Sequence, residues 1–101
     1  MAKLRFSSAA EADLVSITAY TLRTWGDDQT IRYLNQLEET CQILSGNPSL
    51  GRGCDHIYPK LRRLECGRHV VFYCQEAEGI LILRILHQRM LPKRDDFDEK
   101  G

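Results

Sequence analysis

The fold is decided by residues 61–87, LRRLECGRHVVFYCQEAEGILILRILH, which contain three β-forming runs separated by two short turns. The runs cover Leu61–Cys66, His69–Cys74 and Ile80–His87, and the second is rich in the β-branched and aromatic side chains typical of strands. Gly67-Arg68 and Glu76–Gly79 supply the turns. Because strands joined by short connections run antiparallel, this segment predicts an antiparallel sheet.

The first half of the chain predicts a strand followed by two helices. Lys3–Ser7 alternates polar and apolar residues, which is typical of a short strand. Ser8-Ala9-Ala10-Glu11 has the form of a capping box, and the apolar spacing after it predicts a helix that ends at Trp25-Gly26. A second helix is expected to begin at Asp27 or Asp28 and to end at Gly46-Asn47-Pro48.

These elements predict an α+β fold in the order β-α-α-β-β-β, with a helical hairpin packed on a mainly antiparallel sheet. At 101 residues and 11.7 kDa, the chain has room for one domain with one hydrophobic core. We place this domain at residues 1–94 and expect residues 95–101 to form an acidic, flexible tail. The second helix carries an apolar stripe toward the core, formed by Ile31, Leu34, Leu37, Cys41 and Leu44.

Charge is balanced over the whole chain but not along it. The 14 Lys and Arg residues equal the 14 Asp and Glu residues in number. Residues 1–51 carry a net charge of −2, residues 52–94 of +5 and residues 95–101 of −3. The neutral total argues against binding nucleic acid through bulk positive charge, which needs a cationic face. The basic second half predicts a local surface for an acidic partner protein or a polyanion.

The chain carries no pattern for export, a membrane span or a cofactor. The N-terminus lacks an apolar signal core, and the longest apolar run, Ile80–Ile85, is interrupted by Arg84. We therefore expect a cytoplasmic protein. The four cysteines lack the paired spacing of zinc sites and are expected to be reduced, mostly buried thiols. Neither a metal nor a cofactor is expected.

Polar residues on the C-terminal strands are of the types that a metal-independent ribonuclease uses. Such an enzyme needs a base, a cation that stabilises the phosphate and an acid for the leaving oxygen. The candidates are Arg62, Arg63, His69, Tyr73, Arg84, His87 and Arg89. Because the same residue types are common as surface or hydrogen-bonding groups at strand ends, their spacing alone leaves both interpretations open.

Motifs along residues 4–94 occur in an order known from one family. The first helix carries SAAEADL (8–14) with Ile17, Tyr20 and Trp25-Gly26, and the second carries Tyr33-Leu34 and Leu37-Glu38 before NPSLG (47–51). The most specific motifs are LRR (61–63), RHVVFY (68–73) and ILRILHQRM (82–90). Taken in this order in a short chain, they resemble the ParE toxins of the RelE/ParE superfamily, which belong to type II toxin–antitoxin systems.

This resemblance implies a RelE/ParE-like fold and a toxin without catalytic residues that poisons DNA gyrase. It also implies a ParD-like antitoxin that wraps the toxin in a hetero-oligomer. On this interpretation the residues that contact the target are Arg84, His87, Arg89, Met90 and Leu91. The antitoxin is expected to contact Tyr20, Trp25 and Leu34, although Trp25 also suits a core position that anchors the hairpin turn.

Two alternatives stay open beside the gyrase inhibitor. One is a RelE-like, ribosome-dependent mRNA endoribonuclease with a catalytic set of Arg62, His69, Arg84 and His87. Against it, His69 stands where several such nucleases carry an arginine, and no tyrosine follows His87. The other alternative is a degenerate, non-toxic protein that only binds an antitoxin.

Overall fold

A computed structural model describes residues 3–98 as two helices packed on a five-stranded sheet. The elements in chain order are β1 (Lys3–Phe6), α1 (Ser8–Trp25), α2 (Asp27–Gly46), β2 (Arg52–Gly53), β3 (Arg62–Cys66), β4 (His69–Glu76) and β5 (Gly79–His87). Short 3-10 turns follow α2 at Pro48–Leu50 and β5 at Arg94–Phe97. The predicted α+β class and the order of elements are confirmed, with one additional short strand.

The strands are arranged in the order β1-β5-β4-β3-β2, so the first strand lies beside the last. β1 runs parallel to β5, and the other pairs are antiparallel. The additional strand, β2, is only two residues long and lies in the glycine-rich connection before β3. Its pairing with β3 depends on tertiary contact, which explains why the local residue pattern does not predict it.

Helix α1 is capped one residue earlier than the capping-box motif indicates. Ser7, rather than Ser8, is the N-cap, and its hydroxyl accepts the amide hydrogen of Ala10 at 3.0 Å. The hairpin connection is the single residue Gly26, whose φ of 84° favours glycine. Helix α2 then begins at Asp27 without a side-chain cap, and acidic residues in its first turn complement the helix dipole.

The main core lies between the helical hairpin and the sheet. Its buried side chains include Ile17, Leu37, Cys41, Leu44, Val71, Tyr73, Ile80, Ile82 and Ile85. The predicted stripe on α2 is therefore confirmed over its second half. In the first half, Leu34 is only half-buried and Ile31 is exposed, because these positions turn toward the flank of the helix.

A second apolar cluster covers the opposite face of the sheet, so the expectation of a single core is corrected. It comprises Cys54, Leu61, Val70, Phe72, Leu81, Leu83, Leu86 and Phe97. Phe97 comes from the turn Arg94–Phe97, and its ring centroid lies 5.1 Å from that of Phe72. Residues 95–98, which the sequence predicts as part of a flexible tail, thus include a ring that is buried on the sheet. Residues 99–101 lie outside the described residues.

Candidate partner-binding cleft

A cleft of about 470 Å³ opens between the helical hairpin and one end of the sheet. Its walls are α1, the first half of α2, the start of β4 and the end of β5. The predicted site residues that line it are Tyr20, Trp25, His69, Arg84, His87 and Met90. Residues predicted for the antitoxin and residues predicted for the target therefore share one surface.

Two histidines lie side by side in this cleft. His69 pairs with His87 across β4 and β5, and their ring centroids are 5.4 Å apart with an interplanar angle of 78°. The Tyr33 hydroxyl lies 2.5 Å from His69 Nδ1, and the Arg89 backbone N–H donates to His87 Nδ1 at 3.1 Å. Because a nitrogen that accepts a hydrogen bond carries no proton, neutral His87 holds its proton on Nε2.

The surroundings of His69 and Tyr33 disfavour charge on these two side chains. Burial lowers the pKa of His69, and the nearby His87 lowers it further, while Asp13 acts in the opposite direction. Burial also raises the pKa of the Tyr33 phenol. Both shifts favour the neutral form of each group, so His69 and Tyr33 form a neutral hydrogen-bonded pair at pH 7.

Tyr33 connects α2 to the turn between β3 and β4. Its hydroxyl oxygen accepts the Arg68 backbone N–H at 3.0 Å and lies 3.3 Å from the Cys66 carbonyl oxygen. Gly67 adopts a φ of 59°, and a Cβ atom there would lie 2.6 Å from the Tyr33 ring. The predicted Gly67-Arg68 turn therefore serves two purposes, since it closes the hairpin and places Arg68 at the cleft.

Trp25 lies at the edge of the cleft, with 51% of its surface exposed. The Arg68 guanidinium carbon lies 4.6 Å from the centroid of the Trp25 ring, within the range of a cation–π interaction. Tyr20 is also exposed and lines the same cleft from α1. Trp25 is therefore not a buried core anchor of the hairpin turn, and its contact with an antitoxin stays a prediction.

Arg84 is held in an ion pair. Its Nε and Nη2 atoms donate to the two carboxylate oxygens of Asp13 at 2.8 and 2.9 Å, and its Nη1 atom donates to the Asp96 carbonyl oxygen at 3.3 Å. The hydrogen bonds from Arg84 to Asp13 raise the pKa of Arg84, although burial opposes the shift. This guanidinium, which the sequence predicted as a target contact, is therefore engaged within the molecule.

Residues 88–93 form an exposed connection between β5 and the turn Arg94–Phe97, which we call the C-terminal loop. Met90 is half-exposed and lines the cleft, Leu91 is 85% exposed and Arg89 is exposed. The Met90 backbone N–H donates to the His87 carbonyl oxygen at 2.9 Å, so the loop leaves β5 through a tight turn. Three of the predicted target residues thus lie together on one accessible loop.

Three residues of the nuclease alternative, His69, Arg84 and His87, line the cleft, but the fourth does not. Arg62 lies outside the cleft, where it donates to the carbonyl oxygens of Gly51 and Ser49 at 3.1 Å each. Arg84 is held in its ion pair, so only the two histidines of this set are adjacent. Leu34, predicted for the antitoxin, is also separate, because it lines a different groove that includes parts of α1 and α2.

Three residues that line the cleft, Asp13, Tyr33 and Arg68, were not predicted as site residues from the sequence. The position of Asp13, seven residues before Tyr20, could have indicated that it lies at the site, because this spacing places both residues on one face of α1. Tyr33 and Arg68 are 35 residues apart and meet only through tertiary packing. No local pattern relates them.

The described residues give no indication of a metal centre. Within residues 3–98, no group of three or more His, Cys, Asp or Glu residues is arranged to hold a metal ion. Cys41, Cys54 and Cys66 are buried thiols, and burial raises the pKa of Cys41 to about 12, which keeps it protonated and unreactive. Neither helix in this part of the chain is long and apolar enough to cross a membrane.

Comparison with known proteins gives the class to which this fold and cleft belong. A family model described as ParE toxin of type II toxin-antitoxin system, parDE, matches residues 4–92. Toxin ParE1 of Mycobacterium tuberculosis is 42% identical over 85 residues, which cover 83% of this chain and 87% of that protein. Toxin ParE of Escherichia coli is 38% identical over 85 residues, which cover 83% of this chain and 82% of that protein.

A solved structure described as the chromosomal ParDE TA system from P. aeruginosa has a similar fold. The TM-score is 0.74 at 22% sequence identity, and the match covers 86% of this chain and 96% of the other. Together these findings define the toxin component of a type II toxin–antitoxin system. The chain belongs to the ParE toxin family. The resemblance inferred from the order of motifs is thereby confirmed.

Proposed function

We propose that this toxin binds DNA gyrase in the cytoplasm, traps cleaved DNA and blocks replication without catalysing a reaction itself. The observation that carries the proposal is the C-terminal loop, which presents a cation and two apolar side chains together: Arg89, Met90 and Leu91. Exposed apolar side chains provide anchors on a protein surface, and a cation steers association toward an acidic one. This combination suits binding to a protein better than chemistry on a substrate.

The distribution of charge supports the same conclusion. Three cations of the second half are paired, since Arg52 and Arg63 both contact Glu65 and Arg84 contacts Asp13. Arg68 and Arg89, in contrast, are exposed on either side of the histidine pair. These two arginines form a small basic patch beside the C-terminal loop. Such a patch favours a specific acidic partner over general binding to nucleic acid.

A ribosome-dependent ribonuclease is the second candidate function. The observation that favours it is the contact of His69 with His87, because two neighbouring imidazoles can serve as acid and base. The structure does not add a free cation from the predicted set, since Arg62 and Arg84 are both engaged. Binding to gyrase requires no catalytic combination of base, acid and free cation, and for this reason we prefer the gyrase proposal.

We further propose that a ParD-like antitoxin occupies the cleft and forms a hetero-oligomer with the toxin. Tyr20 and Trp25 are exposed aromatic side chains at the cleft, and residues of this kind commonly dominate interface energies. Leu34 lies in the separate groove, so contact with it requires an antitoxin segment long enough to reach both places. The P. aeruginosa neighbour, described as a ParDE TA system, supports this kind of partner.

The proposal is tested by expressing the toxin in short pulses without an antitoxin while DNA and protein synthesis are followed separately. We expect DNA synthesis to stop first and the effect to disappear with Leu91→Ser. The matched control is Leu50→Ser, because Leu50 is another exposed leucine and lies on the turn after α2. This control is expected to remain toxic.

The same experiment separates the alternatives. If protein synthesis stops first and messages are cut, the toxin is a ribonuclease and the gyrase proposal is wrong. If growth continues while a purified antitoxin still binds the chain, the protein is the degenerate, non-toxic form. Both results are distinct from early arrest of DNA synthesis with intact messages.

A further inference from the structure

The C-terminal loop is anchored at both ends. At its start, the Gln88 backbone N–H donates to the Arg68 carbonyl oxygen and the Met90 N–H to the His87 carbonyl oxygen, both at 2.9 Å. At its end, the Lys93 N–H donates to the Asp96 side chain at 2.8 Å. The middle of the loop has neither helix nor strand structure and exposes its apolar residues. Its shape is therefore set by the positions of these two ends.

Arg84 connects the far end of the loop to the helical layer. The guanidinium forms a two-pronged contact with Asp13 on α1, while Nη1 lies 3.3 Å from the carbonyl oxygen and 3.7 Å from Oδ1 of Asp96. The three side chains are largely shielded from solvent, with exposures of 21% for Arg84, 14% for Asp13 and 26% for Asp96. Such shielding makes these contacts stronger and less sensitive to salt than surface pairs.

The shape of β5 explains why Arg84 can make these contacts. β1 ends at Phe6, which pairs with Ile82, so the outer edge of β5 beyond Ile82 has no strand beside it among residues 3–98. There Asp13 Oδ2 accepts the Ile85 backbone N–H at 2.9 Å. The pairing with β4 shifts by one residue at the same place, since Phe72 faces Arg84 but Tyr73 faces Ile82.

A bulge of this kind re-aims the side chain next to it. Here the bulge lies next to Arg84, whose side chain reaches both Asp13 on α1 and Asp96 in the turn. We propose that Arg84 is a positioning residue, whose contacts with Asp13 and Asp96 hold the C-terminal loop in the conformation that meets the target. This role rests on the function proposed above, and it replaces the direct target contact that the sequence suggested for Arg84.

The planar guanidinium is essential to this role. Lysine keeps the positive charge but offers a single ammonium group, which cannot make the two-pronged contact with Asp13 and reach Asp96 at once. Arg84→Lys should therefore keep the attraction to α1 and release the turn. The variant therefore changes how the turn Arg94–Phe97 is positioned while the positive charge at residue 84 stays in place.

The test combines amide hydrogen exchange with inhibition of purified gyrase, using wild type, Arg84→Lys and the control Arg52→Lys. Arg52 is an exposed arginine that pairs with Glu65 on the sheet. We expect Arg84→Lys to speed exchange of the Lys93 and Asp96 amides about tenfold and to weaken gyrase inhibition about tenfold, while core amides of β4 stay protected. Arg52→Lys should change neither. Asp13→Asn, which weakens the hold on Arg84 but leaves the Asp96 acceptor of the Lys93 N–H in place, should change both readouts in the same direction.

The two readouts distinguish failure of this inference from failure of the proposed function. If Arg84→Lys weakens inhibition while the loop amides exchange as in wild type, Arg84 contacts the target directly and the inference is overturned. Unchanged exchange and unchanged inhibition also overturn it. If wild type does not inhibit gyrase, the proposed function fails, and the exchange rates alone decide whether Arg84 orders the loop. Should Arg84→Lys fail to fold, Asp13→Asn supplies the comparison, because it acts on the loop only through Arg84.

Discussion

His69 lies edge-on to His87, its direct partner across β4 and β5, with 5.4 Å between the ring centroids. The Tyr33 hydroxyl contacts the far side of this pair through His69 Nδ1. Protonation of His69 would place a positive charge in a half-buried site beside a second imidazole and near Arg68. The arrangement therefore makes the cleft, and the stability of the fold, sensitive to pH.

The first prediction concerns this sensitivity. The pKa of His69 is lowered in the folded state, so the unfolded chain binds a proton more readily as the pH falls below about 6.5. The free energy of unfolding should therefore decrease from pH 7.5 to pH 5.5, and His69→Asn should reduce that decrease. Urea unfolding at both pH values measures it, with His56→Asn as the control on an exposed loop. An identical pH dependence in wild type and His69→Asn would show that His69 is not responsible.

The second prediction concerns the carboxylate that holds Arg84. Asp13→Ala removes the two carboxylate oxygens that accept from the Arg84 guanidinium, one of which also accepts the Ile85 N–H, and should lower the free energy of unfolding by about 2 to 3 kcal/mol. Glu65→Ala removes a partner from a more exposed pair and should cost about 0.5 kcal/mol or less. Urea unfolding compares the two variants. Equal losses would mean that the Asp13 pair is no stronger than a surface ion pair.

The third prediction concerns the buried ring at the end of the domain. Phe97→Ala removes a ring packed on Phe72 and Tyr58, and should cost about 3 kcal/mol of stability. Leu91→Ala, in the exposed loop, should cost about 0.5 kcal/mol or less. Thermal or urea unfolding measures both changes. A Phe97→Ala protein as stable as wild type would restore the idea that residues 95–98 are a dispensable tail.

The fourth prediction concerns the antitoxin surface. Trp25→Ala should weaken antitoxin binding by about 2 kcal/mol, which is about thirtyfold in Kd, because an exposed tryptophan at a cleft is a typical binding hot spot. Its effect on stability should stay below about 1 kcal/mol, since the ring is half-exposed. Isothermal titration calorimetry measures the affinity, with Leu22→Ala as an exposed control on the same helix. If both variants bind like wild type, the antitoxin does not use Trp25.

Much of the sheet could be predicted because its signal is local. The run His69–Cys74 and its two flanking turns carry β-branched, aromatic and glycine residues in a pattern that few other structures accommodate. The observed β4, His69–Glu76, extends that run by only two residues. In contrast, the parallel pairing of β1 with β5 joins segments from opposite ends of the chain, and no local pattern specifies it.

The cleft was harder to predict, because part of it depends on contacts between residues far apart in the sequence. Arg89, Met90 and Leu91 are adjacent in sequence and follow β5 closely, so their grouping on one loop could be predicted from the chain itself. The partner of Arg84 is 71 residues away, and the unpaired edge of β5 beside α1 brings the two together. The sequence pattern predicted a target contact for Arg84, whereas the positioning role proposed above depends on Asp13 and Asp96.

A supercoiling assay with purified gyrase, relaxed plasmid and stoichiometric toxin tests directly whether this toxin acts on gyrase. We expect wild type to block supercoiling and accumulate cleaved DNA, and added antitoxin to reverse the effect. Leu91→Ser should lose the inhibition while Leu50→Ser retains it. Complete supercoiling with no cleaved DNA, in the presence of folded toxin that still binds its antitoxin, would show that gyrase is not the target.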